Sequence, residues 1–191
     1  MNESSRRVEL MQKAANLFRK KGYAATSIRD IAKAMEMKSP SLYNHIKSKE
    51  EILQVLLLSM AELYVKGMDD VMQSPLNPIK KLERVIADHI RITIEHTNAV
   101  SLIPSDWVHL DEASRTKFLQ MRDRYDKDFR SILQACIEED YIEAVDVEIA
   151  TFSILSTLRW LFSWYNKNSE INPLLLETEL IRNLIGGLRA S

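Results

Sequence analysis

Residues 39–53, SPSLYNHIKSKEEIL, decide how this chain is read. Ser39 is a natural N-cap and Pro40 suits the first helical position, so a helix is expected to start here. It displays Tyr43, Asn44 and His45 side by side and is expected to stop within about two turns, enough to cross a DNA major groove ~12 Å wide. Lys47, Ser48 and Lys49 follow, and Ser48 with Glu51 has the form of a capping box that opens the next helix. Small residues at Ser39, Pro40 and Ser41 would allow close approach to a nucleic-acid backbone. Lys38, Ser41 and Asn44 can offer donors to bases or phosphates. Tyr43 can give a hydroxyl to a phosphate or lie on a thymine methyl, and Lys47 and Lys49 suit phosphates. Leu42 and Ile46, four apart, would anchor this helix to a small core.

Working outward, Ser27 and Asp30 form another capping box, opening a helix with Ile28, Ile31, Ala32 and Met35 inward. Only residues 36–38, EMK, separate it from the helix at Ser39, which is helix-turn-helix spacing. A first helix over about 4–21 carries Leu10, Ala14, Leu17 and Phe18 on one face, Arg19, Lys20 and Lys21 at its end, and Gly22 to close it. Downstream of Ser48 a longer helix should run to about Gln73, where SPLNP (74–78) breaks it. Helical periodicity then continues over about 78–97, 101–109, 112–139, 146–167 and 173–186. The chain therefore reads as all-α. Taken alone, the spacing leaves two readings: helix-turn-helix units bind DNA, and they also serve as packing devices.

Charge divides the 191 residues unevenly. Residues 1–58 hold 11 Lys+Arg against 6 Asp+Glu, a balance of +5, and the remainder 15 against 21, a balance of −6. A basic head on an acidic body suits a polyanion-binding module joined to a part that need not bind polyanions. The single cysteine, Cys136, excludes an intrachain disulfide and fits a reducing compartment. No signal-peptide pattern or membrane-length apolar window occurs, so a soluble cytoplasmic protein with no membrane partner is expected.

The stretch 26–53, TSIRDIAKAMEMKSPSLYNHIKSKEEIL, resembles the DNA-binding signature of the tetracycline-repressor (TetR) family. Thr26, Ile31, Ala32, Leu42, Tyr43, His45, Lys49, Glu50 and Leu53 fall where that family has such residues, and Gly22-Tyr23 after the first helix agrees. Two departures stand out: Glu36 where the family usually has glycine, and Ile46 where it usually has phenylalanine. Glu36 must then manage the turn, with a positive φ as one solution. The resemblance implies an N-terminal three-helix helix-turn-helix DNA-binding domain (1–47) and a C-terminal helical ligand-binding and dimerisation domain (48–191). It implies a homodimer on double-stranded operator DNA, most simply a repressor released by a small-molecule effector. The DNA-binding set expected is Thr26, Arg29, Lys38, Ser39, Pro40, Ser41, Tyr43, Asn44, His45, Lys47 and Lys49.

The body has its own pattern. Residues 147–165, VEIATFSILSTLRWLFSWY, are apolar nearly all round, which calls for cover on both sides. One side would meet its own domain and the other a second subunit, with Leu176, Leu180, Leu184 and Ile185 of the last helix completing the interface. A central helix in a monomeric bundle is the other reading. Arg159, the lone cation of this run, suits either an ion pair or a clamp on a ligand carboxylate or phosphate. With it, Trp107, Arg122, Tyr125, Phe129, Trp160 and Trp164 are the candidate effector residues, although aromatics at helical spacing also serve as core. Residues 118–133 and 158–167 resemble TetR regulators that sense acyl-coenzyme A thioesters. Arg122, Arg124 and Arg130 would suit the nucleotide phosphates, or form an exposed face of alternating charge. His89 and His96 lack metal-ligand spacing, Ser114 and Lys117 match only a common S-x-x-K pattern, and no glycine-rich phosphate loop occurs. No enzyme activity, cofactor or metal is expected.

Overall fold

The computed structural model describes residues 3–187, all helical apart from turns and connections. In order the elements are α1 (Glu3–Lys21), α2 (Ile28–Ala34), α3 (Ser39–Leu42), α4 (Lys49–Gln73), α5 (Pro78–Glu95), α6 (Thr97–Val100), a 3₁₀ turn (Asp106–His109), α7 (Glu112–Glu138), α8 (Val147–Tyr165) and α9 (Pro173–Gly186). The chain forms two compact units, Met1–Ala61 with Asn98–Leu119, and Glu62–Thr97 with Gln120–Ser191. The sequence expectation of a boundary at 47/48 therefore differs from the division the packing makes. Much of α4, and the segment from α6 to the start of α7, cluster with the head.

In the first unit α1 packs on α2 and α2 on α3. Leu10, Ala14, Phe18, Ile31, Ala32, Met35, Leu42 and Ile46 are all buried, the faces expected from their spacing. Gly22, at φ 85, ends α1 in the left-handed region, and its N–H donates to Phe18 O at 2.8 Å. The Ser27/Asp30 capping box forms as expected.

The second unit is organised around α5, which packs against α8 and α9. Its core includes Leu82, Ile86, Phe129, Leu133, Ile154, Leu158, Leu176 and Ile185. One interface expectation changes here: Leu176 and Ile185 of α9 face the core of their own chain, with Leu180 and Leu184 packed against it. On α8, Leu158 is fully buried in the same core. What α8 leaves uncovered is a different stripe: Ile149, Phe152, Trp160 and Trp164, with Ser153, Thr157 and Ser163 between them. The start of α9 adds exposed Leu174 and Leu175.

Candidate nucleic-acid interface and effector region

The turn between α2 and α3 shows how the head is set. Glu36 takes φ 55, so a non-glycine residue does occupy the left-handed position. Its N–H donates to Lys33 O at 3.1 Å and that of Met37 to Ala32 O at 2.9 Å, which closes α2 with a Schellman motif. The remaining carbonyls find cations from α1: Lys13 Nζ donates to Ala34 O at 2.7 Å and Arg6 to Met35 O at 3.2 Å. Arg7 reaches across to His45 O at 3.2 Å and pairs with Glu51 at 3.0 Å. Lys13 and Arg6 thus hold the C-terminal end of α2, where the dipole favours positive charge, and Arg7 ties the turn after α3 to the start of α4. Their acceptors lie 21 to 44 residues away in sequence and are brought within reach only by the fold.

The expected recognition helix is shorter than its sequence suggested. Only Ser39–Leu42 is α-helical, and Tyr43–His45 continue as turns, with His45 N–H donating to Leu42 O at 2.9 Å. Lys38, not Ser39, is the N-cap, without a side-chain cap bond, and Pro40 lies within the first turn. The cause lies downstream: Ile46 is buried and Lys47 N–H donates to the Glu51 carboxylate, which redirects the backbone into α4. Ser48 Oγ accepts from Glu51 N–H at 3.2 Å, so only half of the second capping box forms as expected.

Of the expected DNA-binding set, Arg29, Lys38, Pro40, Tyr43, Asn44 and Lys47 are exposed, and Ser39, Ser41, His45 and Lys49 are half-buried. Thr26 departs from the expectation of a DNA-facing side chain: it is buried, and its hydroxyl donates to Gly22 O at 2.8 Å. Its work is to close the end of α1. Lys49 is also engaged, donating to Tyr23 O at 3.1 Å with its ammonium 4.3 Å from the Tyr23 ring centre. Burial, with Glu50 adding to it, pushes the Tyr23 phenol up to about 12, so it stays protonated beneath that lysine. A shallow cleft of about 430 Å³ gathers Tyr43, Lys47 and Lys49 against Ala24–Ile28 and the start of α4. Cations, hydroxyls and backbone N–H groups lining one concave face are what a phosphate backbone requires.

The seven candidate effector residues are not gathered into one interior site. Phe129 is wholly buried in the core of the second unit, whereas Trp160 and Trp164 are 61% and 47% exposed. Their helical phase places the tryptophans on the outer stripe of α8, which corrects the expectation that they line an interior pocket. Trp107 belongs to the first unit, on the 3₁₀ turn. Arg159 forms the ion pair that was one of its two readings, with Asp126 of α7. Arg122 lies 3.9 Å from Asp123, Arg124 pairs with Asp69, and Arg130 pairs with Glu148 at 2.8 Å.

Tyr125 instead belongs to a polar cluster that spacing did not disclose. Its hydroxyl is 3.3 Å from His89 Nδ1, the Tyr64 ring lies against His89 at 4.6 Å between centres and tilted by 37°, and the Tyr64 hydroxyl is 3.3 Å from Thr93 Oγ1. Burial, with the Arg159 charge adding to it, pushes the His89 imidazole down to about 3, so it is neutral at ordinary pH. Burial pushes the Tyr64 phenol up to about 12 and that of Tyr125 higher still.

Comparisons with known proteins agree with this arrangement. The family model for bacterial regulatory proteins of the tetR family matches residues 10–56, and that for the tetracyclin repressor-like C-terminal domain matches residues 75–188. The HTH-type transcriptional repressor KstR2 of Mycobacterium tuberculosis is 29% identical over 189 residues, covering 97% of this chain and 94% of that one. The solved structure of that organism's ketosteroid transcriptional regulator KstR2 superposes with a TM-score of 0.91 at 25% identity, over 97% of this chain and 96% of that one. The TetR-family regulator PfmR of Thermus thermophilus gives 0.82 at 28% identity, over 95% and 99%.

Proposed function

The chain belongs to the tetR family of bacterial regulatory proteins, DNA-binding regulators of transcription, and from that premise we propose that it is a homodimeric repressor released from its operator by a small effector. The observation that carries the DNA half of this reading is the exposed set Lys38, Tyr43, Asn44 and Lys47 on a short helical turn that Arg7 of α1 holds at His45 O. Two copies would present two such turns to successive major grooves, about 34–36 Å apart. The uncharged outer stripe of α8 supplies a surface on which a second copy can sit. The proposed place of action is the cytoplasm, where operator DNA is found.

The effector is taken to be an apolar molecule bearing a carbonyl, of which an acyl-coenzyme A thioester is the first to try. KstR2 is described as a ketosteroid regulator, and a ketone and a thioester share a neutral carbonyl on an apolar body. Arg124 and Arg130 already have acidic partners, so binding a nucleotide there requires exchange of those pairs. A carbonyl compound without coenzyme A needs no such exchange and is the second reading. Effector and operator should each weaken the other's binding by the same factor.

Operator binding across a salt series tests the DNA reading. Tyr43→Phe with Lys47→Ala should weaken binding and flatten the salt slope by about one for the phosphate lost. Unchanged affinity and slope would overturn it. Lys49→Ala is the poorer probe, because it also strips Tyr23 of its partner.

A further inference from the structure

The buried cluster around His89 does not stand alone in the second unit. Tyr64, Gly67, Met68, Val85, Asp88, His89, Ile92 and Tyr125 border an internal gap of about 10 Å³, room for one water. Outside it, between α4 and α5, lies an open groove of about 470 Å³, in the size range of small-molecule sites. Gly67, Asp88 and Ile92 line both spaces, so they form the partition between groove and cluster. At Gly67 that partition has no side chain.

Gly67 is otherwise unaccounted for. It sits within α4, where glycine disfavours helix relative to alanine. Yet a Cβ added there would meet nothing within 4 Å, and its φ is not in the left-handed region, so neither packing nor backbone demands it. Polar side chains sealed in an aliphatic core are costly as well, and His89, Tyr125 and Thr93 are kept there together, with the partly buried Tyr64 against them. A thin wall and a set of hydrogen-bonding groups behind it are two independent departures from what stability favours, and they meet at one place.

We propose that the α4–α5 groove is the effector's entry, and that a neutral carbonyl on an apolar effector passes Gly67 to hydrogen-bond with His89 and Tyr125. The proposal rests on the reading of the chain as an effector-responsive regulator and names the chemistry of that effector. The Tyr125 hydroxyl and the His89 N–H are the two possible donors to a carbonyl oxygen. A carboxylate is disfavoured at the cluster, because burying its charge beside His89 and Tyr125 must be repaid by a cation, and Arg84 and Arg91 are bonded to Asp88, at 3.0 and 2.7 Å, and Arg159 to Asp126. Entry displaces Tyr64 or Met68, since the closed gap holds no more than a water.

Adamantanone, with adamantane and adamantane carboxylate as controls, tests this on the full chain carrying ¹⁵N-labelled histidine. The ketone is expected to shift the His89 ring signals and raise the melting temperature. The hydrocarbon and the carboxylate should bind about ten-fold more weakly or worse, the size of a lost buried hydrogen bond. Gly67→Leu should keep the melting temperature, because leucine favours helix, and lose the ketone's effect on His89. An unmoved His89 signal, equal binding of the carboxylate, or equal ketone affinity in Gly67→Leu would each overturn the proposal. Operator affinity is read separately. A His89 shift that Gly67→Leu abolishes, with operator affinity unchanged, retains the site and removes the release reading. A compound that lifts wild type and Gly67→Leu from DNA equally retains release and removes the site.

Discussion

The two units expose different chemistry, and each exposure carries its own demand. Around α3 the head exposes lysines, a tyrosine and an asparagine, groups that are at ease in water and gain further from a polyanion. Along α8 the body exposes Phe152 at 72%, Ile149 at 66% and Trp160 at 61%, without a charge among them. Apolar surface left in water forgoes about 25 cal/mol per Å², so a stripe of this kind gains by being covered, whereas the head does not need cover. A surface ready for a partner can therefore be stable alone or unsatisfied alone. The head is of the first kind and the body of the second.

The sharpest break in that comparison lies within the body, between aromatic residues the sequence could not tell apart. Phe129→Ala should cost about 3–5 kcal/mol of unfolding free energy, since the ring is fully buried in the core. Phe152→Ala should leave the stability of one chain within about 0.5 kcal/mol, because its ring is in solvent. Chemical denaturation at low protein concentration compares the two. Similar losses in both would mean that Phe152 is covered within its own chain.

Next in size is the association that the outer stripe should drive. Trp160→Glu puts a charge where a large aromatic would anchor, and losing such an anchor costs about 2 kcal/mol or more of binding, upwards of 30-fold in dimer affinity. Sedimentation should show a monomer with an unchanged helical signal. A variant that dimerises as wild type does would place the interface elsewhere and leave the stripe without a partner.

These outcomes bear on what the sequence made legible. In the head, small polar caps, a basic balance and buried positions at helical spacing all fall in short helices with one wet side, so Leu42, Ile46, Ile31 and Met35 are read directly as anchors. The left-handed backbone at Glu36 was legible only through the resemblance, which puts a glycine at that place in the turn and leaves a positive φ as one solution for the glutamate. The length of α3 was not, since it is decided by the Glu51 carboxylate reaching back to Lys47. In the body, α8 is apolar on both sides, and periodicity cannot say which side faces its own chain. Leu158 and Trp160 differ by two residues in sequence and by everything in exposure. The His89 cluster was hidden for a related reason: its members come from α4, α5 and α7, and no spacing within one helix links them.

The buried imidazole predicts a graded effect confined to acid pH. His89 is held near a pKa of about 3 against an ordinary 6.5, so the unfolded chain takes up a proton that the folded chain refuses. Its contribution is fully present above pH 6.5 and falls as pH drops below that value, by about 1.4 kcal/mol for each unit until the folded pKa is reached. Other groups titrate in the same range, so the measurement is a difference. His89→Gln should show a shallower loss of stability between pH 6.5 and 4 than wild type, by about one proton in slope. Parallel curves would mean that the imidazole is solvated in the folded state.

The smallest effect compares the two non-glycine left-handed turns among the described residues, one in each unit. Glu36 at φ 55 and Asp140 at φ 57 both follow a helix, and both are closed by the same pair of bonds: Glu36 to Lys33 and Met37 to Ala32 in the head, Asp140 to Ile137 and Tyr141 to Cys136 in the body. Aspartate tolerates this region because its short side chain bonds locally, whereas glutamate bears more of the steric cost. Glycine relieves that cost and surrenders some entropy of the unfolded chain, for a net gain of about 1 kcal/mol at Glu36 and only a few tenths at Asp140. The head carries a second term that the body lacks, since Glu36 places a negative charge beside the segment proposed to meet phosphates. Glu36→Gln removes the charge and keeps the strained backbone, so it should tighten operator binding with little change in stability. Glu36→Gly should do both, and Asp140→Gly neither to any comparable degree. Equal stabilisation at the two sites would show that side-chain identity does not govern these turns. Unchanged operator affinity in Glu36→Gln would show that residue 36 lies outside the field of the bound DNA.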